Sequence, residues 1–164
     1  MNIPTPFVDK QLIVLPDWID INGHMNVAAY LKAFDEGFAP AYDWLGLGAE
    51  QVETRGLSSM TADVALSYRH ELFVDAPLRI TTQLLACDRK RAHWMQAMYH
   101  REQGFLAATA EWLVLHIDLH KRRVTALPDD VYERLQAIEV AHRALPLPAA
   151  SGRAIALNNR RPRE

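Results

Sequence analysis

The sequence predicts an α+β fold in which a curved antiparallel β-sheet wraps around one central α-helix. Residues 26–45 form one long stretch with helical periodicity, and its apolar stripe is broad and aromatic. Four strand-like stretches follow at hairpin spacing with no helix between them, which favours an antiparallel sheet. A helix with such a stripe buries it by lying across the concave face of a curved sheet.

Length and composition limit the classes of protein to consider. The chain has 164 residues, of which 49% are hydrophobic and 23% are charged, as expected of one globular domain. We expect that domain at residues 1–145, followed by a C-terminal extension at residues 146–164 that is rich in Pro, Ala, Gly and Arg. The net charge of −2 does not favour nucleic acid as a partner. No apolar run approaches the ~18 residues that indicate a membrane span.

Cysteine and histidine usage argues against a metal site. The single cysteine, Cys87, excludes an intrachain disulfide and a cysteine-rich zinc site, and it fits a reducing cytoplasm, where we expect the protein. His116 and His120 are four residues apart. That spacing brings two ligands together on a helix, but not on the strand and turn that we expect here.

The first secondary structure elements flank a polar loop. Residues 11–15 are predicted to form a short strand, which the following proline ends. Asn26 is a plausible cap for the central helix, and Pro40 should kink or restart that helix because it lacks an N–H. Two glycines shortly after residue 45 offer a stop. The apolar stripe consists of Val27, Tyr30, Leu31, Phe34, Phe38 and Tyr42.

Four strands and a terminal helix complete the predicted fold. The strands are expected at residues 60–69, 78–86, 91–100 and 105–119. Gln103-Gly104 is the clearest turn between two of them. The last strand should place Trp112, Val114 and His116 on one face. An apolar stripe predicts a short helix at Asp129–Val140.

The chemically dense segment is Asp20-Ile-Asn-Gly-His-Met-Asn26, which leads directly into the central helix. A helix N-terminus presents free N–H groups and a positive dipole end, which stabilise the oxyanion that develops on a reacting carbonyl. A carboxylate a few residues upstream can attack that carbonyl or activate water. This pattern indicates acyl transfer, which here needs no metal, cofactor or cysteine.

The run from Trp18 to Tyr30 resembles the signature of hotdog-fold acyl-CoA thioesterases of the 4-hydroxybenzoyl-CoA type. That family has an Asp, then Gly-His-x-Asn, then a Tyr within the first helical turns. Plant acyl-ACP thioesterases carry a similar Asp-x-Asn-x-His run, which matches Asp20, Asn22 and His24. The resemblance covers residues 8–140. It implies a hotdog fold and the hydrolysis of an acyl-CoA thioester to a free acid and CoA.

The same resemblance implies the catalytic residues. Asp20 takes the position of the catalytic carboxylate, either as a nucleophile that forms an anhydride or as a base for water. Asn22 and His24 match residues that position water or substrate. Asp63 falls where some relatives place a second carboxylate, and it is one methylene shorter than the expected Glu.

Substrate contacts are expected around the start of the helix. Backbone N–H groups near Asn26 and Val27 would polarise the thioester carbonyl. We expect Trp18, Tyr30 and Tyr68 to contribute to the substrate site as well.

A narrower resemblance concerns the acyl group. Trp-Ile-Asp-x-Asn-Gly-His-Met-Asn, followed by Ala-Phe-Asp, is similar to the thioesterases of bacterial carnitine breakdown, which act on betainyl-CoA. The trimethylammonium group of that substrate would need an aromatic cage. The candidate rings are Trp18, Tyr30, Trp44, Tyr68, Trp94 and Trp112.

The sequence is also compatible with other roles for these residues. Asp20 and Asn22 could be turn residues, Asn26 only a cap, and Asp63 a solvated strand residue. Each aromatic ring could belong to the core or to a subunit contact. One rival function is an acyl-thioester hydratase or dehydratase, whose branch of the fold separates its Asp and His by Asn-Pro, whereas Gly23 follows Asn22 here. The other is a non-catalytic acyl-CoA-binding module, against which Asp20 argues.

The sequence also predicts an oligomer and leaves two roles open for the arginines of the C-terminal extension. Pairing of exposed edge strands across a two-fold axis predicts a homodimer or a dimer of dimers, and the resembled family forms its sites at such interfaces. Acyl-CoA is the expected small-molecule partner, with no nucleic acid and no membrane. Arg160, Arg161 and Arg163 are either a solvated tail or contacts to the CoA phosphates.

Overall fold

The structure is a computed structural model that describes residues 2–152. A 3₁₀ turn at Pro16–Trp18 precedes the helices. The helices are α1 (Val27–Glu36), α2 (Ala39–Leu45), α3 (Ala49–Arg55) and α4 (Asp129–His142). The strands are β1 (Phe7–Asp9), β2 (Leu57–Tyr68), β3 (Leu78–Cys87), β4 (Arg91–His100), β5 (Leu106–Asp118) and β6 (Arg123–Val124). No helix in residues 2–152 is both long enough and apolar enough to cross a bilayer.

One antiparallel sheet carries the fold. Its strand order is β1-β3-β4-β5-β2, and β6 pairs with the end of β5. The long strands β3, β4 and β5 are joined by hairpins, whereas β2 crosses over to pair with β5 at the far side. This arrangement confirms the predicted α+β class, with a curled sheet packed against α1 and α2.

The helix pair α1–α2 is seated on the sheet by apolar and polar contacts. Tyr30, Phe34 and Phe38 are all at least 96% buried, as their shared stripe predicts. The last turn of α1 leaves the Phe34 carbonyl without a partner inside the helix. The Gln96 side-chain amide donates to this carbonyl at 2.9 Å. A Cβ at Gly37 would come within 2.8 Å of Ile80, so glycine permits the close approach of helix and sheet.

The central helix differs from the prediction in one respect. Residues 26–45 form two helices, because α1 ends at Gly37 and α2 restarts with Pro40 in its first turn. The restart at Pro40 and the cap at Asn26 are therefore confirmed. Helix α3 was not predicted, because its residues are mostly exposed and carry no apolar stripe.

The predicted strand at residues 11–15 is wrong. The strand lies earlier, at Phe7–Asp9, and pairs with β3. The Asp9 carboxylate accepts a hydrogen bond from the Gln11 N–H at 2.7 Å, and this Asx turn interrupts the strand. Beyond it only a single bridge joins Ile13 to Pro77, a residue that has no N–H with which to extend the ladder.

The C-terminal helix α4 is longer than predicted and is anchored by a buried histidine. The Leu84 N–H donates to His142 Nδ1, and His142 Nε2 lies 2.9 Å from the Pro4 carbonyl oxygen. Burial lowers the pKa of His142, which favours the neutral ring with Nε2 protonated that both contacts require. The ring therefore joins α4, β3 and the N-terminal segment.

The first part of the C-terminal extension lies against the sheet on the face opposite the helices. The Gln83 side chain donates to the Pro146 carbonyl at 3.4 Å. Ser151 and Gly152 both donate to the Glu111 carboxylate on β5. We still propose that residues 146–164 are an extension of a domain at residues 1–145. Residues 153–164, with the three arginines considered above, lie outside the described residues.

Candidate active site

A tight loop between the 3₁₀ turn and α1 positions the first acidic residue of the site. Ile19 and Met25 form an antiparallel bridge, and the Asp20 N–H donates to the His24 carbonyl at 3.0 Å. The chain reverses through a turn in which the Gly23 N–H donates to the Asp20 carbonyl. Gly23 has a φ of +82°, which is strained for other residues. This loop sets the carboxylate of Asp20 beside the N-terminus of α1.

The Asp20 carboxylate is held by its own loop. The Asn22 N–H donates to Asp20 Oδ1 at 2.8 Å, so Asn22 contributes through its backbone while its side chain is exposed. The other oxygen, Oδ2, lies 3.9 Å from His24 Nδ1. With 20% of its side chain exposed, Asp20 is accessible to a substrate yet fixed in direction. Such a carboxylate is suited to attack a carbonyl or to deprotonate water.

The N-terminus of α1 supplies one free hydrogen-bond donor. The Asn26 side chain accepts from the Ala28 N–H at 2.9 Å, and the Asn26 N–H donates to the Trp18 carbonyl at 2.8 Å. In the described part of the chain, the Val27 N–H has no protein acceptor, and Val27 is 58% exposed. Of the two N–H groups suggested by the sequence, that of Val27 is therefore the one available to polarise a carbonyl oxygen.

These groups meet at one open cleft of about 380 Å³. The cleft is lined by Asp20, His24, Met25, Val27, Tyr30, Tyr68, Arg69, His70 and Glu71. Five of the nine candidate site residues thus line the same space. It combines a carboxylate, the free donor of a helix N-terminus and two aromatic rings.

Tyr30 and Tyr68 form the aromatic wall of the cleft. Their rings meet edge to face with centroids 5.2 Å apart. The Tyr30 hydroxyl donates to the His70 carbonyl at 3.2 Å, and the Tyr68 hydroxyl donates to the Val27 carbonyl at 3.3 Å. Burial raises the pKa of both phenols, so both remain neutral at physiological pH. The two tyrosines therefore join α1 to the end of β2 and offer aromatic surface rather than charge.

The remaining candidates lie elsewhere. Trp18 does not line the cleft: its ring is 95% buried, lies 5.7 Å from the Lys32 ammonium, and its carbonyl holds Asn26. Asp63 is exposed on β2, beside a bulge, and does not line the cleft of its own chain. Of the other rings considered for a cage, Trp94 and Trp112 pack edge-on against Phe38 in the core.

Four residues of the cleft were not predicted: Met25, which lies inside the loop motif but was not named as a site residue, and three residues after β2. Arg69, His70 and Glu71 follow the end of β2 and reach the cleft because this segment lies beside the loop of Asp20. Glu71 Oε1 is 4.0 Å from His24 Nε2, so His24 stands between two carboxylates. The available signal was the run of three charged or titratable residues at the end of a predicted strand.

Known proteins resemble this chain in both sequence and fold. Residues 14–135 match the thioesterase-like superfamily. A betainyl-CoA thioesterase of Pseudomonas aeruginosa is 37% identical to this chain over 88% of it and 91% of the relative. An L-carnitine dehydrogenase/betainyl-CoA thioesterase of Rhizobium meliloti is 31% identical over 83% of this chain, which spans only 27% of that longer protein.

A solved structure shows a closely similar fold. A Staphylococcus aureus protein in complex with CoA superimposes with a TM-score of 0.86, at 25% identity, over 96% of this chain and 98% of its own. Together with the cleft at the start of α1, these similarities establish the hotdog fold and the reaction class. The chain belongs to the thioesterase-like superfamily and is a thioester hydrolase.

Proposed function

We propose that this chain hydrolyses betainyl-CoA to betaine and CoA in the cleft at the N-terminus of α1. The observation that carries the proposal is the meeting of the Asp20 carboxylate, the free Val27 N–H and the rings of Tyr30 and Tyr68 in one space. The similarity to a Pseudomonas aeruginosa betainyl-CoA thioesterase supports the choice of acyl group.

The hydrolysis assigns one role to each polar group. The thioester oxygen accepts a hydrogen bond from the Val27 N–H, and the positive end of α1 stabilises the negative charge that develops there. Asp20 either attacks the carbonyl carbon, giving an anhydride that water then hydrolyses, or takes a proton from the attacking water. In both routes the C–S bond breaks and CoA leaves as the thiolate, which takes a proton from Asp20 in the water route and from solvent in the anhydride route. His24 lies beside the carboxylate, where it would position water or substrate, as the sequence resemblance implies.

The aromatic wall suits a cationic acyl group. In betainyl-CoA one methylene separates the trimethylammonium from the carbonyl carbon, so the cation stays in the cleft when the carbonyl is bound to Val27. A quaternary ammonium on an aromatic face gains ~0.5–2 kcal/mol per ring. Two of the six candidate rings, Tyr30 and Tyr68, line the same cleft as Asp20, which supports an aromatic site for the cation.

The substrate is tested by thiol release from short, aromatic, long-chain and cationic acyl-CoAs. We expect kcat/KM for betainyl-CoA to exceed that for butyryl-CoA by about tenfold or more, since two ring contacts give ~1–4 kcal/mol and ~1.4 kcal/mol is a factor of ten. Equal values, or a preference for butyryl-CoA, would remove the betainyl assignment and leave the thioesterase. Because neither a hydratase nor a binding module releases thiol, absence of thiol from every substrate would contradict the reaction itself.

We also propose a homodimer or a tetramer built on β2. This twelve-residue strand is the last in the sheet, and an edge strand of that length exposes unpaired backbone groups. Pairing of β2 across a two-fold axis would carry Asp63 toward the cleft of the partner, where a second carboxylate is expected. A monomeric mass in sedimentation equilibrium would contradict this assembly.

We also propose a cytoplasmic location, with which the free thiol of Cys87 is compatible.

A further inference from the structure

We infer that Glu71 is the residue that selects a positively charged acyl group, acting as the counter-ion of the substrate's ammonium. This inference rests on the proposed function, and it assigns the selectivity to one residue that is separate from the reacting carboxylate. Glu71 lines the same cleft as Asp20, Tyr30 and Tyr68.

The position of Glu71 makes its charge available inside the cleft. Its carboxylate lies 4.0 Å from His24 Nε2, on the opposite side of that ring from Asp20. Within the described residues it forms no ion pair with a lysine or an arginine, and 66% of its side chain is exposed. A carboxylate without a strong partner on the protein is free to turn toward a cation that arrives with the substrate.

The negative charge of Glu71 acts on Tyr30, one of the two rings of the aromatic wall. Burial raises the pKa of the Tyr30 hydroxyl, and the negative charge of Glu71 adds to that rise. An ammonium placed in the cleft beside Tyr30 and Tyr68 therefore meets aromatic surface, most of it from the more exposed Tyr68, and the field of a nearby carboxylate. Closing the cleft with the rest of the acyl-CoA removes water and strengthens that attraction.

The chemistry of the reaction explains why this role falls to a second carboxylate. If Asp20 were the partner of the ammonium, the ion pair would stabilise its charged form and weaken it as a nucleophile or base. Glu71 provides the compensating charge on the other side of His24, which leaves Asp20 free for the carbonyl. Arg69, the other charged residue of the lining, has the wrong sign for this role and would repel an ammonium.

A pair of isosteric substrates separates charge from shape. Betainyl-CoA and 3,3-dimethylbutanoyl-CoA differ only in that a quaternary carbon replaces the quaternary nitrogen, so the ratio of their kcat/KM values measures the preference for the charge. We expect Glu71→Gln to lower that ratio by about tenfold, because kcat/KM for betainyl-CoA should fall much more than kcat/KM for 3,3-dimethylbutanoyl-CoA. As a matched control, Glu133→Gln removes the same charge from the exposed surface of α4, and it should leave the ratio unchanged.

The outcomes distinguish this inference from the proposed function. A wild-type protein that prefers betainyl-CoA, with an unchanged ratio in Glu71→Gln, overturns the role of Glu71 and leaves the substrate assignment intact. Equal losses on both substrates in Glu71→Gln also overturn the inference, because they show that Glu71 serves the reaction or the fold rather than the cation. A wild-type protein without preference between the two substrates overturns the betainyl assignment and the inference together.

Discussion

Replacing Asp20 with asparagine should lower kcat for thiol release by about 10²-fold or more, with the fold intact. The substitution keeps the size of the side chain and the acceptor oxygen that the Asn22 N–H uses, so the loop should retain its shape. It removes the negative charge that either route requires, attack on the carbonyl or deprotonation of water. The loss of a general base typically costs ~10²–10⁴-fold. The measurement is steady-state thiol release, together with circular dichroism to verify folding.

Asp17→Asn is the matched control for this experiment. Asp17 lies three residues earlier in the 3₁₀ turn, is exposed and does not line the cleft. The same loss of charge there should change kcat less than twofold. A folded Asp20→Asn protein with near-wild-type turnover would show that the hydrolysis is carried out by another group.

Replacing Phe34 with alanine should destabilise the protein by ~3–5 kcal/mol, the range for a fully buried Phe→Ala change. The Phe34 side chain is entirely inaccessible to solvent and lies on the face of α1 that packs on the sheet. Its carbonyl receives the hydrogen bond from buried Gln96, which restrains the helix from collapsing into the space left behind. Urea unfolding followed by tryptophan fluorescence measures the change in the free energy of unfolding.

Phe73 offers the same chemical change on the surface. It is 56% exposed, so Phe73→Ala should alter the free energy of unfolding by ~0.5 kcal/mol or less. A cost below ~1 kcal/mol for Phe34→Ala would mean that α1 is not packed at the centre of the sheet, and the proposed architecture would be wrong.

Periodicity predicted the parts of the fold that bury a regular stripe. The strands of the β3–β4–β5 meander alternate between faces, and Trp112, Val114 and His116 are buried together as their spacing of two requires. The terminal helix was found by the same signal. Where an element has no such stripe, the signal is absent: α3 buries only Gln51 among its described side chains, and β1 is three residues long. The surrounding tertiary structure, rather than a local sequence pattern, determines α3 and β1.

The site was predictable to the extent that it is local in sequence. Asp20, His24 and Val27 lie within eight residues, and the turn and the cap between them follow from the residues themselves. Glu71 enters the cleft through contacts between segments some forty residues apart, such as that between the Tyr30 hydroxyl and the His70 carbonyl. The direction of the Trp18 ring, into the core, likewise depends on packing that a linear motif does not encode.

The most direct test of catalysis at the start of α1 is a crystal structure with a betainyl-CoA analogue in which a methylene replaces the thioester sulfur. The carbonyl oxygen of the bound ketone should lie about 3 Å from the Val27 nitrogen, as a hydrogen bond requires. The Asp20 carboxylate should face the carbonyl carbon directly or through one water, and the trimethylammonium should contact Tyr30 or Tyr68. A ketone bound with its carbonyl away from α1, or an acyl group seated outside the cleft of Asp20, would contradict the proposed active site.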